Sequence, residues 1–135
     1  MVRAVIDTNV LISALIQDGK SRKLTFELLD KHTVILSRQM LAELADVAGR
    51  DKVHVASSQV ERFLSIMVRL SKIVPDSALF REVLEDPDDD VVLNAAYAGK
   101  ADYLVTGDKH LLALNQFKKT KIVTVNQMLG ILMMQ

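Results

Sequence analysis

Two aspartates follow buried-strand patterns at widely separated points of the chain. Asp7 comes directly after the apolar run Val2–Ile6, and Asp108 comes directly after Tyr103–Gly107. The downstream ends of parallel strands share one edge of a sheet, and α/β proteins bind ligands at that edge. We therefore expect these two carboxylates to meet in one cleft.

The residues after Asp7 bear on what its side chain can do. Thr8 and Asn9 both carry side chains that cap helix N-termini, and an apolar helical pattern follows them. If either of them caps this helix, the Asp7 carboxylate can point into the cleft. Thr8 or Asn9 is also expected to orient it.

An acidic run at residues 86–90 opens a helical pattern between the two strand ends. Acids favour helix N-termini, which explains one or two members of this run. Asp89 needs a further explanation, because it shares a helical face with Val92 and Leu93, the face that a helix turns towards a sheet. Asp90 lies on a more mixed face. Both remain candidates for the cleft.

Glu43 lies at the rim of an apolar helical stripe. Met40 and Val47 flank it on that stripe, whereas Asp46 turns towards solvent. An acid at the edge of a buried face needs a partner. Glu43 is therefore interpreted either as a member of the acidic cleft or as half of an ordinary salt bridge.

A cleft with four or more carboxylates needs a cation, because like charges at short range do not all stay ionised. Oxygen ligands suit hard ions, so we expect Mg²⁺ or Mn²⁺. The histidines His32, His54 and His110 are interpreted mainly as loop or helix-end residues. His110 nevertheless lies two residues after Asp108, where it could face the cleft.

The bulk composition describes an ordinary globular chain. Its 135 residues fit one domain, residues 1–135, and half of them are hydrophobic. The formal net charge is zero, so a nucleic acid would have to be held by local basic patches or through metal. Cysteine is absent, which excludes disulfides and thiolate sites. No apolar run approaches the length of a membrane span, so a cytoplasmic protein is expected.

Strand and helix patterns alternate along the chain, which predicts an α/β fold with a mostly parallel sheet covered by helices on both faces. The predicted strands are Val2–Ile6, Thr33–Leu36, Ile73–Val74, Tyr103–Thr106 and Lys121–Val125. The predicted helices are one from Thr8 or Asn9 to Gly19, then Ser21–Lys31, one capped by Ser37 and running to Ala48, one from Ser57 or Ser58 past Leu70, Ala78–Leu84, Asp88–Gly99, Lys109–Leu114 and Met128–Met134.

Four segments together resemble the PIN domain family. They are residues 5–11, 37–44, 86–90 and 101–108, and they occur in the family's order and approximate spacing. The resemblance extends from Val2 to about Val125. The chain is most similar to single-domain bacterial and archaeal members akin to VapC, the toxin of a toxin–antitoxin pair.

The resemblance implies a three-layer α/β/α sandwich, often a homodimer, with metal-dependent endoribonuclease activity on single-stranded or structured RNA. The implied products carry 5′-phosphate and 3′-hydroxyl ends. The implied catalytic and metal-binding residues are Asp7, Glu43, Asp89 or Asp90, and Asp108. Thr106 matches the family's hydroxyl residue near the last acid and is expected to orient a ligand or water.

Basic and apolar segments suggest where partners bind. Lys20, Arg22 and Lys23 follow the first helix, and Lys109 follows Asp108, so these side chains could reach RNA phosphates. The apolar C-terminal helix favours either packing within the fold or contact with a second copy or a protein antitoxin. A bound antitoxin is expected in the acidic cleft or a nearby groove.

Other classes fit less well. A haloacid-dehalogenase-type phosphatase needs a second acid two residues after the first, where this chain has Asn9. A receiver domain needs an aspartate after a central strand, and Asp51 follows no strand. A non-catalytic PIN-like interaction module remains the main alternative, together with an RNA-processing nuclease outside any toxin system.

Overall fold

The computed structural model describes residues 1–50, 54–76, 80 and 87–134. Within them, a six-stranded sheet has the order β3-β2-β1-β4-β6-β5. Neighbouring strands are parallel except for the antiparallel pair β5 and β6. The strands are β1 (Arg3–Ile6), β2 (Thr33–Ser37), β3 (Lys72–Val74), β4 (Tyr103–Val105), β5 (Gln116–Phe117) and β6 (Thr120–Val123).

Helices connect and cover these strands, so the predicted α/β/α sandwich with a mostly parallel sheet is confirmed. The helices are α1 (Thr8–Ile16), α2 (Lys20–Lys31), α3 (Arg38–Ala48), α4 (Ser57–Leu70), α5 (Pro87–Ala98), α6 (Lys109–Leu114) and α7 (Val125–Met133). No helix of the described ranges is long and apolar enough to cross a membrane.

The centre of the sheet is the core of the protein. Ala4, Val5 and Ile6 of β1 are completely buried, as the continuous apolar run predicts for a strand covered on both faces. Helix α5 packs on β1, β2 and β4, while α2 and α3 pack on β2. The ends of the central strands therefore have little freedom to move, and residues attached to them are held in place.

Several predicted boundaries are confirmed by their capping contacts. Ser37 Oγ accepts a hydrogen bond from the Met40 amide (3.2 Å), and α3 then runs to Ala48 as predicted. Helix α6 has the predicted bounds. Asp46 turns to solvent and pairs with Arg50 (2.9 Å).

The predicted start of the first helix is wrong. The N-cap residue is Asp7, not Thr8 or Asn9, and Thr8 already lies inside α1. The Thr8 side chain is buried. The helix also ends at Ile16, before Gly19.

The C-terminal boundaries also differ from the prediction. The last strand ends at Val123, because Thr124 caps α7 through a reciprocal pair of hydrogen bonds with Gln127. This capping box was readable in the sequence. The two-residue strand β5 was missed, since so short a segment has no periodicity to detect.

Smaller differences are shifts of one or two residues at other element ends. The predicted helix Ala78–Leu84, apart from Phe80, lies outside the described residues. The same is true of Asp51 and Asp86.

Candidate metal and active site

The sheet reverses its order of strands beside β1. From β1 the chain first builds outwards through β2 and β3, then returns to place β4 on the other side of β1. Such a switch point leaves a crevice at the carboxyl ends of the two strands, where open α/β sheets bind ligands. Because Ile6 pairs with Val105, the residues that follow these strands, Asp7 and Thr106, are neighbours.

The Thr106 hydroxyl joins the two predicted aspartates. Its Oγ1 donates a hydrogen bond to Asp7 Oδ2 (2.7 Å) and accepts one from the Asp108 amide (3.0 Å). An amide can only donate, so the hydroxyl proton must point to Asp7. Thr106 is completely buried. It therefore fixes the Asp7 carboxylate relative to the backbone of Asp108.

Burial raises the pKa of Asp7 above its ordinary value, since the charged carboxylate loses water. The hydrogen bond from Thr106 and the amides of Thr8 and Asn9 oppose this shift, and the negative charge of Asp108 adds to it. A cation in the crevice would offset both causes of the raised pKa.

Asp108 holds the start of α6. Its Oδ1 accepts hydrogen bonds from the amides of His110 (2.8 Å) and Leu111 (3.1 Å). Leu111 is completely buried, which anchors this short helix to the core. A carboxylate has two oxygens with several lone pairs, so this cap is compatible with an additional ligand.

Asp89 enters the crevice from the first turn of α5. It is only 6% exposed, as its position on the sheet-facing side of the helix predicts. The buried Asn94 steadies this end of the helix: its Nδ2 donates to the carbonyls of Asp90 (2.8 Å) and Phe80 (3.0 Å), and its Oδ1 accepts from the Phe80 amide (3.0 Å).

Asp89, Asp108 and His110 form a group suited to metal binding. One ligand atom from each side chain lies within 4.8 Å of the other two. Among the described residues, this is the group whose atoms have the spacing of metal ligands. It combines two carboxylates with one imidazole, and neither Asp7 nor Glu43 is part of it. From the sequence alone, His110 is interpreted mainly as a loop or helix-end residue. Its position two residues after Asp108 is the one sign in the sequence that it could face the cleft.

The remaining predicted acids lie nearby on the flanking helices. Glu43 is half-buried on α3, a helix that packs against both α1 and α5. Asp90 is half-buried on α5, next to Asp89 but outside the group of three. Their roles stay predictions.

A groove of about 370 Å³ lies next to Thr106 and Gly107. Lys20 and Asn9 line it, together with Thr124 at the start of α7. The Arg22 guanidinium donates to the carbonyls of Ala14 (2.7 Å) and Leu15 (2.8 Å) at the end of α1, and its contact with phosphate stays a prediction.

A family model described as the PIN domain matches residues 3–110, most of the chain. The chain belongs to the PIN domain family. The match begins with β1 and ends at His110, so it contains all five predicted acids and the imidazole of the group of three.

This PIN domain is similar to one further protein in sequence and to another in fold. An uncharacterized protein of Methanocaldococcus jannaschii, MJ1680, is 34% identical over 125 residues, covering 87% of this chain and 78% of that protein. The structure of PAE2754 from Pyrobaculum aerophilum has a TM-score of 0.65 at 20% identity, covering 99% of this chain and 91% of its own.

A toxin–antitoxin structure shares the fold as well. The structure of VapBC2 from Rickettsia felis, bound to a DNA fragment from their promoter, has a TM-score of 0.61 at 16% identity. It covers 90% of this PIN domain and 98% of its own chain. At this identity the likeness concerns the fold.

Proposed function

We propose that this PIN domain is a metal-dependent endoribonuclease. The observation that carries the proposal is the convergence of Asp7, Asp89 and Asp108 at the switch point, with Thr106 tying the first to the last. Three acids brought from separate elements to one crevice make a poor structural core, since burying their charges costs stability. They make a suitable site for a cation and a phosphodiester.

The donor set fits a divalent ion. Asp89 and Asp108 supply hard oxygen ligands, and Asp7 carries a carboxylate whose charge the surroundings disfavour. We propose that these residues hold Mg²⁺ or Mn²⁺, with Glu43 and Asp90 completing the set or positioning water. The bound ion would supply an acidified water molecule and neutralise charge on the phosphate.

The residues of the chain would then direct hydrolysis. Water would attack phosphorus, the bond from phosphorus to the 3′ oxygen would break, and a proton from the water would end on the 3′ oxygen, so the products would carry 5′-phosphate and 3′-hydroxyl ends. Thr106 would keep Asp7 in one orientation throughout, because its hydroxyl donates to Asp7 and accepts from the Asp108 amide.

Lys20 and Lys109 are the proposed contacts to the RNA backbone. Lys20 lines the groove that adjoins Thr106, and Lys109 begins the helix that Asp108 caps. The chain has no net charge, so such local cations must supply most of the attraction to phosphate.

We further propose that this nuclease is the toxin of a toxin–antitoxin pair and acts in the cytoplasm as a homodimer. The shared fold with a VapBC2 structure supports a protein antitoxin as partner. Exposed apolar side chains at the end of α7, Met133 and Met134, are 87% and 90% exposed and support an additional contact there.

The site is tested by comparing two Asp→Asn variants on RNA and on DNA of the same sequence. Asp89→Asn should lower RNA cleavage on the order of 100-fold, as expected when a group that manages charge in the transition state is removed. Asp46→Asn is the matched control, because Asp46 is exposed and pairs with Arg50. Circular dichroism would check that both variants fold.

Equal activity of Asp89→Asn and wild type would contradict the proposed site. Preferential cleavage of DNA would contradict the substrate class. A folded wild type that binds Mn²⁺ yet cleaves neither nucleic acid would favour the non-catalytic interaction module.

A further inference from the structure

We propose that His110 is a direct nitrogen ligand of the metal site and that it biases the site towards Mn²⁺ over Mg²⁺. The inference rests on the proposed metal binding and deepens it. His110 is not one of the predicted acids. With His110 included, the expected ligands are oxygen and nitrogen atoms instead of oxygen atoms alone.

Geometry provides the first argument. One imidazole nitrogen of His110 lies within 4.8 Å of a carboxylate oxygen of Asp89 and of Asp108. Two donors bound about 2.1 Å from one ion can be at most about 4.2 Å apart, so small side-chain rotations would suffice for all three to hold one ion.

The backbone holds His110 in place while leaving its ring adjustable. The His110 amide donates to Asp108 Oδ1 (2.8 Å), and the next residue, Leu111, is buried in the core. The Cα position of His110 is therefore tied to the same carboxylate that shares the group with it. Its side chain is exposed, so ring rotation meets little steric resistance.

Ligand chemistry provides the consequence. Both Mg²⁺ and Mn²⁺ suit carboxylate oxygens, but Mg²⁺ demands oxygen ligands and keeps much of its water, whereas Mn²⁺, a first-row transition ion, accepts a nitrogen ligand more readily. An imidazole beside two carboxylates should therefore strengthen Mn²⁺ binding more than Mg²⁺ binding. The alternative is a cationic imidazolium that pairs with Asp89 and Asp108, which would compete with a metal instead of binding it.

Pulsed electron paramagnetic resonance of bound Mn²⁺ distinguishes these arrangements without any RNA. Wild type should show modulation from an imidazole nitrogen, and His110→Ala should lose it. The control is His54→Asn, an exposed histidine whose φ of 57° favours asparagine over alanine. This control should keep the signal.

Titration calorimetry gives an independent readout. His110→Ala should weaken Mn²⁺ binding by at least about tenfold. Changing a residue that only supports a metal ligand already lowers metal affinity by about that factor. Mg²⁺ binding should change less, so the preference for Mn²⁺ should fall.

Bound Mn²⁺ without nitrogen modulation in wild type would overturn this inference and leave the proposed nuclease intact. Tighter Mn²⁺ binding by His110→Ala would also overturn it, in favour of the imidazolium pair. A wild type that binds neither ion would overturn both this inference and the metal dependence on which it rests.

Discussion

At the scale of residues, the carboxylates of the crevice concentrate negative charge there at a cost in stability of the fold. Asp7 and Asp108 were predictable from the sequence, because each follows an apolar run that can only be a buried strand. Their connection through Thr106 was not, since it depends on which strands are neighbours. The closeness of His110 to Asp89 was not predictable for a similar reason: it depends on how α5 and α6 approach each other.

Replacing Asp7 by Asn should stabilise the metal-free protein at neutral pH. The folded pKa of Asp7 is raised, so its contribution to stability is complete below the ordinary pKa of 3.8 and is lost as pH rises through the folded value. Asn cannot ionise, yet its amide oxygen can still accept from Thr106.

Urea unfolding in EDTA, from about pH 4 to about pH 7, would measure this effect. The stability of Asp7→Asn relative to wild type should increase with pH across that window. A constant difference between the two proteins would show that the Asp7 carboxylate carries no unfavourable charge in the fold.

Replacing Thr106 by Val should lower the free energy of unfolding by about 1 kcal/mol, because the partly buried Asp108 amide loses its partner. Valine preserves the shape and removes the hydroxyl, so the Asp7 carboxylate also loses its fixed orientation and cleavage should fall. Thr106→Ser is the control: it keeps both hydrogen bonds and should retain most of the activity. Similar activity in the two variants would argue against a positioning role for the hydroxyl.

At the scale of elements, local signals and long-range packing differ in how well the sequence reveals them. The caps of α3 and α7 depend on residues three positions apart, Ser37 with Met40 and Thr124 with Gln127. Close approaches between elements leave no such pattern. Gly99, just after α5, lies against the buried Ile35 of β2, and a Cβ there would come within 2.5 Å of the Ile35 side chain.

Gly99→Ala should therefore destabilise the fold by about 1–3 kcal/mol through overpacking. Gly130→Ala in α7 is the matched control, because a Cβ there meets nothing within 4 Å. The control should be neutral or should stabilise by up to about 1 kcal/mol, the difference in helix propensity. Thermal or urea unfolding would measure both, and equal effects would show that α5 and β2 can separate at little cost.

At the scale of the whole molecule, the strand order is what makes a site. Asp7 and Thr106 are 99 residues apart in sequence and hydrogen-bonded in space, because the chain crosses from β3 back past β1 before it forms β4. The alternating pattern predicted a parallel sheet and one shared edge. It did not predict that β1 and β4 are adjacent, since several strand orders satisfy the same alternation.

The central claim is that this PIN domain cleaves RNA with a metal held by the acids of the switch point. Its most direct test is cleavage of a mixed-sequence single-stranded RNA in Mn²⁺ by wild type and by Asp7→Asn, each repeated with excess EDTA. Wild type alone should cleave the RNA, and EDTA should abolish that cleavage. Cleavage that persists in EDTA, or that Asp7→Asn performs as well as wild type, would contradict it.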